Sequence, residues 1–258
     1  MAPAAGSDNS PELIYGLHAV REALRAGARP LQRLSVLGTD RQFGEIVRLA
    51  REHRVPVYVE PRVALDRLVP GGHHQGVVGF VAAKAYAEPE DILASARAVG
   101  RTPLLVLLDG VEDPHNLGAI LRTAEASGAQ GVFIPERRAV GLTGVVAKAS
   151  AGAVDYMPVG RVPNLARWIE RLQSVGVWVY ALDAQAPKSY TQLDLRGPIA
   201  LVFGGEGKGV RPGVRAVCDD AAQIPMLGKV SSLNVSASAA VVLYEAVRQR
   251  REGGWGTV

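Results

Sequence analysis

Ile199-Ala200-Leu201-Val202-Phe203-Gly204-Gly205-Glu206-Gly207-Lys208-Gly209 is an unbroken apolar run that ends in a glycine-rich loop. Five apolar residues with no polar alternation suit a strand covered on both faces, as in parallel sheets flanked by helices. Two other stretches repeat the plan. Val106-Leu107-Leu108-Asp109-Gly110 leads through Asp113-Pro114-His115-Asn116 into a helix carrying Arg122. Gln223-Ile224-Pro225-Met226-Leu227-Gly228-Lys229-Val230-Ser231-Ser232-Leu233-Asn234-Val235-Ser236 runs through a glycine turn into an Ala-rich helix. In each, the unusual residues follow the C-terminal end of a strand, where open α/β sheets place their ligand crevice. In the last, Ser, Ser and Asn at a helix mouth form a cup of backbone amides and small polar groups.

Working outward, strands are expected at 104–109, 131–134, 177–182, 199–203 and 222–226, with helices near 117–127, 142–150, 164–175 and 234–250. This alternation predicts an α/β fold with a mostly parallel sheet. Upstream lies a smaller α/β module. Leu17, Val20 and Leu24 share a helical face that Gly27 ends, Leu34–Leu37 reads as a strand, and a helix over 46–49 precedes the strand Val55–Glu60. A helix at 65–68 and a strand at 77–83 complete it. The division expected is a tail at 1–11, a first domain at 12–84, a linker with a short helix at 85–102, and a main domain at 103–258.

With 258 residues, 48% of them hydrophobic, the chain can bury a sizeable core. No apolar run is long enough to span a bilayer, and no basic segment followed by an apolar one opens the chain, so a cytoplasmic protein is expected. The single cysteine, Cys218, rules out an internal disulfide and cysteine-only metal sites, and reads as a buried filler. Lys208 is followed by Gly209, so the glycine loop is not a P-loop, and no Gly-x-Gly-x-x-Gly opens a helix in the dinucleotide-binding arrangement. Asp109, Glu112, Asp113 and His115 read as a polar turn, and no metal is expected.

Taken together, Asn116-Leu-Gly-x-x-x-Arg122-Thr, Gly204-x-Glu206-Gly-x-Gly and Ile224-Pro-Met226-x-Gly-x-x-x-Ser232-Leu233-Asn234-Val-Ser resemble the three ordered motifs of the SpoU (TrmH) family of RNA ribose 2′-O-methyltransferases. The resemblance implies a Rossmann-like sheet of the SPOUT class with a C-terminal trefoil knot, S-adenosylmethionine as cofactor, and a homodimer in which two subunits complete each site. It places Arg122, Asn116, Glu206, Ser232 and Asn234 in the catalytic site, Arg122 approaching the ribose hydroxyl. It assigns the cofactor to Gly204, Ile224, Met226, Leu227 and Leu233, and Leu182 is expected to give the pocket another edge. Ile14–Leu24 and Gln75-Gly76-Val77-Val78 resemble the L30e-like substrate-binding domain of the RlmB-type branch, which methylates a guanosine of 23S rRNA. A ribose methyltransferase acting on tRNA or another rRNA loop, including the antibiotic-resistance type, is the same-fold alternative. A non-catalytic RNA-binding protein is the alternative of another class.

Each residue also has a structural reading. Asn116 could cap its helix beside a solvated Arg122, Glu206 could ride on a surface turn, and Ser232 and Asn234 could cap the last helix. Arginine is a poor proton acceptor, because its pKa exceeds about 12, so a base role for Arg122 is chemically strained; an ionised Arg122 could instead stabilise the developing alkoxide while substrate phosphate or water takes the proton, and its catalytic role is left open between the two. The net charge of +4 lies mostly in residues 1–85, which hold 11 Lys and Arg against 8 Asp and Glu. That balance is consistent with an RNA-docking module.

Overall fold

The computed structural model describes residues 12–98, 100 and 102–252, so the expected tail at 1–11 lies outside the described residues. In chain order the elements are β1 (Glu12–Tyr15), α1 (Leu17–Ala26), β2 (Leu31–Val36), α2 (Gly44–Glu52), β3 (Val57–Val59), α3 (Arg62–Leu68), β4 (Val77–Val81) and α4 (Pro89–Ala98). They continue as β5 (Leu104–Asp109), α5 (Pro114–Ala126), β6 (Gly131–Pro135), α6 (Gly144–Ala149), α7 (Ala153–Tyr156), β7 (Val159–Val162) and α8 (Leu165–Gln173). Last come β8 (Trp178–Leu182), β9 (Lys188–Ser189), β10 (Ile199–Gly204), α9 (Pro212–Arg215), β11 (Asp220–Gln223) and α10 (Val235–Glu252). The chain divides into two compact units, the described residues up to Ala85 with Leu142–Tyr156, and Tyr86–Gly141 with the described residues from Met157 onward.

The first unit is a four-stranded sheet in the order β1-β4-β2-β3, with β4 antiparallel to β1 and β2, and β3 parallel to β2. Helix α1 buries Ala19, Val20, Ala23 and Leu24 on one face. It ends at Gly27, whose φ of 59 lets its N–H return to the Ala23 carbonyl. Strand β1 has only Leu13 and Ile14 as apolar signal, too short a pattern to mark it in the sequence.

Segment 142–156 packs with this first unit, although strand-helix alternation assigns it to the second domain. Its helices α6 and α7 bury Val146, Ala147 and Val154. A buried ion pair fixes the placement. Arg29 and Asp155 are 4% and 5% exposed, and Arg29 Nε and Nη2 donate to the two Asp155 carboxylate oxygens at 2.7 and 3.3 Å. The remaining arm of Arg29 reaches Glu12 Oε2 at 3.1 Å. Burial raises the Glu12 carboxyl above its ordinary value, and the Arg29 charge opposes that rise.

The second unit holds a seven-stranded, all-parallel sheet in the order β7-β6-β5-β10-β8-β11-β9. Its central strands β5 and β10 are buried on both faces, as their continuous apolar runs predict. Leu105, Leu107, Ala200 and Val202 join Phe133, Trp168 and Ile169 in one core. On α10, Arg250 donates to the carbonyls of Thr102, Pro103, Leu195 and Gly197, clasping the helix to the chain entering β5 and β10. Burial brings its guanidinium down to about 10.

Two expectations change here, and two strands go unpredicted. The stretch read as a linker carries α4, whose Ile92, Leu93 and Ala96 enter the core of the second unit, so it is part of that unit. Strand β11 ends at Gln223 instead of reaching 226, because Pro225 has no N–H to give a ladder. Strands β7 and β9 escape a hydrophobicity reading because one is interrupted by Gly160 and Arg161 and the other is Lys188-Ser189. Cys218 packs beside this core, and burial pushes its thiol up to about 12, leaving no thiolate for chemistry.

Candidate active site

Helix α5 begins with Asp113, whose carboxylate accepts the His115 N–H at 2.9 Å, and Pro114 follows as its first residue. The cap is therefore Asp113, and Asn116 is free for another role. Its side chain is turned inward, 6% exposed. Asn116 Nδ2 donates to Glu206 Oε1 at 2.6 Å. Asn234, just before α10, donates Nδ2 to the same Glu206 oxygen at 3.1 Å and to Asn116 Oδ1 at 3.0 Å. Its own Oδ1 accepts the N–H and hydroxyl of Ser236 at 2.9 and 2.6 Å. Asn234 thus caps the last helix, which its structural reading expected, and at the same time joins Asn116 and Glu206 in a hydrogen-bonded triad.

Glu206 rides on the loop after β10, and its backbone is closely fitted. Gly204 pairs in register with Asp109, and a Cβ there would stand 1.9 Å from the Gly209 carbonyl carbon. A Cβ on Gly205 would lie 2.0 Å from the Gly110 oxygen. Glycine is demanded at both positions by close backbone approach. The far end of the loop is tied by Arg211, which pairs with the buried Asp109 carboxylate at 2.6 Å. Sequence reading passed over Arg211 and treated Asp109 as part of a polar turn. The one available signal was an acid at the C-terminal end of a buried strand.

Asn116 and Glu206 line a cleft of about 290 Å³, together with Asp109, Glu112, Arg138, Lys208 and Arg211 among others. Arg122 and Ser232 do not line it. Both are exposed, and neither side chain has a hydrogen bond or ion pair among the described residues. Among the described residues no three His, Cys, Asp or Glu side chains converge to hold a metal ion.

The residues assigned to the cofactor lie in the same unit but do not line this cleft. Leu182, Gly204 and Ile224 lie at or just past the carboxyl ends of β8, β10 and β11, with β8 hydrogen-bonded between the other two. Past them, residues 224–234 carry neither helix nor strand, and Leu227 and Leu233 are 99% and 38% exposed. Met226 is partly buried. None of the six lines the 290 Å³ cleft.

A buried strand ending in a glycine loop, an Asn-Glu-Asn triad and a small-residue loop before the last helix coincide with a known family. Residues 103–244 match the SpoU rRNA Methylase family. The chain belongs to that family. This SpoU methyltransferase also matches, over residues 13–87, the domain described as RNA 2′-O ribose methyltransferase substrate binding. It is 43% identical over 244 residues to YacO of Bacillus subtilis, a TrmH family protein whose name leaves its target as tRNA/rRNA, covering 94% of this chain and 98% of that protein. It is 42% identical over 243 residues to the 23S rRNA (guanosine-2′-O-)-methyltransferase RlmB of Shewanella oneidensis, covering 93% and 98%. The solved SpoU methyltransferase AviRb of Streptomyces viridochromogenes, in complex with AdoMet, superposes with a TM-score of 0.78 at 28% identity, covering 94% of this chain and 91% of that one.

Proposed function

We propose that this SpoU protein transfers a methyl group from S-adenosylmethionine to the ribose 2′-hydroxyl of a guanosine in 23S rRNA, acting as a homodimer. The observation that carries the rRNA reading is the first unit, a full substrate-binding module matched over residues 13–87 and joined to the methylase domain. Full-length likeness to the Shewanella RlmB supports it.

The AdoMet complex of AviRb supports the choice of cofactor. Residues here suit that group. The end of β11, in the sheet beside β8 and β10, runs into a loop whose Leu227 and Leu233 present uncovered apolar surface, which an adenosyl group would cover. Gly204, Ile224 and Leu233 hold it through backbone groups, and Leu182, Met226 and Leu227 wall it. The donor supplies an electrophilic methyl carbon on a sulfonium. The protein's part is to aim the ribose oxygen in line with that carbon and to stabilise charge as the hydroxyl proton leaves.

Glu206 and the two Asn amides are already mutually ordered, so they meet the nucleotide without reorganising. Glu206 Oε2 takes no hydrogen bond among the described residues and is left to accept from a substrate hydroxyl. Arg122 stabilises the developing oxyanion and Ser232 orients the nucleotide. Neither lines the cleft of its own chain, which agrees with a site that a second copy completes. Helix α10 offers the surface for it, with Tyr244 half exposed and Val241 and Val247 partly so.

Two measurements test this. Ribose-methylation mapping across rRNA and tRNA from cells lacking the gene should show loss at one guanosine of 23S rRNA. Loss at a tRNA or at a different rRNA loop would replace the target while keeping the chemistry. Light scattering at micromolar concentration should give a dimer, since a stable interface buries on the order of 1,000 Å² or more. A monomer that turns over would remove the shared site.

A further inference from the structure

Four glycines surround Glu206, at 204, 205, 207 and 209, and Gly207 and Gly209 have φ of 75 and 62. Such a loop has little intrinsic preference for one shape. Yet its carboxylate must meet two amide donors within a few tenths of an ångström. Something outside the loop has to hold it.

The structure assigns that task to Asp109 with Arg211, and we infer that this pair is a positioning device for Glu206. Asp109 grips the loop at both ends. Its backbone carbonyl accepts the Gly205 N–H at 2.9 Å, at the loop's start. At the other end, its carboxylate accepts the Arg211 backbone N–H at 2.8 Å on one oxygen and Arg211 Nε at 2.7 Å on the other. Within the loop, Gly209 N–H returns to the Gly205 carbonyl at 3.1 Å. One residue on the central strand β5 therefore fixes the span from 205 to 211, and Glu206 stands within it.

Stability alone does not account for the choice of an ion pair. The Asp109 side chain is wholly buried while that of Arg211 is 46% exposed. A buried carboxylate carries a desolvation cost that its pairing only offsets, and apolar residues of similar volume commonly stabilise as well or better. What an apolar pair cannot supply is direction. Both carboxylate oxygens and two donors of Arg211 define the exit path of the loop, and through it the orientation of Glu206 toward Asn116 and Asn234. Neither Asp109 nor Arg211 belongs to the triad; both also line the cleft, so the proposed action through Glu206 is separated from direct contact with the nucleotide by the Glu206→Gln background.

The inference rests on the methyltransferase reading, and the test keeps the two apart. Asp109→Asn in the full-length dimer should lower single-turnover methylation of 23S rRNA by about thirtyfold, with dissociation constants for S-adenosylmethionine and for RNA within twofold of wild type. In a Glu206→Gln background the same change should cost less than about threefold, because the residue being positioned is already disabled. Hydrogen exchange at the Gly205 and Gly209 amides should accelerate about tenfold, while Leu107 and Val202 exchange as before. Arg211→Lys keeps the cation on a half-exposed side chain and should show an intermediate loss of about tenfold, which serves if Asp109→Asn fails to fold. Unchanged exchange at Gly205 and Gly209, methylation within threefold of wild type, or an equal loss in the Glu206→Gln background would overturn the inference. A wild-type protein that methylates no RNA would sink the functional reading instead, and the exchange measurement would still decide whether the clasp orders the loop.

Discussion

Arg122→Ala is expected to lower methyl transfer by roughly a hundredfold or more, the scale of removing one preorganised group that stabilises transition-state charge. Affinity for S-adenosylmethionine should stay close to wild type. Arg122 is exposed and lies outside the 290 Å³ cleft, and the cofactor residues sit at the ends of β8, β10 and β11, on other elements. The fold should be indifferent as well, because the side chain makes no hydrogen bond or ion pair among the described residues. Single-turnover methylation with RNA in excess, read beside separate cofactor and RNA titrations, distinguishes chemistry from binding. Near-normal methylation by the variant would remove Arg122 from the chemistry even with the family assignment intact. A further arm tests the shared site: mixing Arg122→Ala protomers with Glu206→Gln protomers should restore activity to a share of the mixed dimers, since one of their two sites then holds both native residues.

Where the sequence was legible, a local pattern matched a local cause. Leu104–Leu108 and Ile199–Phe203 read as buried strands because a parallel sheet covered by helices leaves no polar face along them. Leu17, Val20 and Leu24 with Gly27 described α1 and its end for the same reason. Asn116, Glu206 and Asn234, from three motifs spread over 118 positions, do converge, and it was the family resemblance that had grouped them. What stayed hidden is non-local. Helix α4 looks like an Ala-rich linker until Ile92 and Leu93 are seen in the core. Asp109 and Arg211 are 102 positions apart, and nothing beside either residue names the other. Asn116 read as a possible cap although Asp113, three residues earlier, does that work.

The other large effect concerns folding, and it follows from the placement of segment 142–156. Asp155→Ala is expected to destabilise the first unit by about 3–5 kcal/mol, because it leaves the Arg29 guanidinium buried with only the partly exposed Glu12 as partner. For a unit of this size about 1 kcal/mol moves the midpoint by roughly 4–8 °C, so calorimetry should show its melting fall by more than about 10 °C. Removing both charges, as Arg29→Met with Asp155→Ala, should recover much of the loss, because the fully buried charge is gone and only the partly exposed Glu12 loses a partner. A double variant as unstable as the single one would mean that the loss comes from the missing contacts of the pair itself and not from an orphaned buried charge. The same geometry revises how the protein can be divided. On sequence alone the second domain should bind S-adenosylmethionine by itself from about residue 100. A chain starting there loses Ile92, Leu93 and Ala96 from its core, and it strips Asp155 of Arg29 while uncovering the apolar faces of α6 and α7. Such a fragment is expected to aggregate before its cofactor pocket can be measured. A chain starting at Tyr86 keeps α4, and replacing the apolar residues of 142–156 with polar ones should then yield a soluble unit that still binds the cofactor. Aggregation of that redesigned unit would show that the second unit needs the first for more than covering this segment.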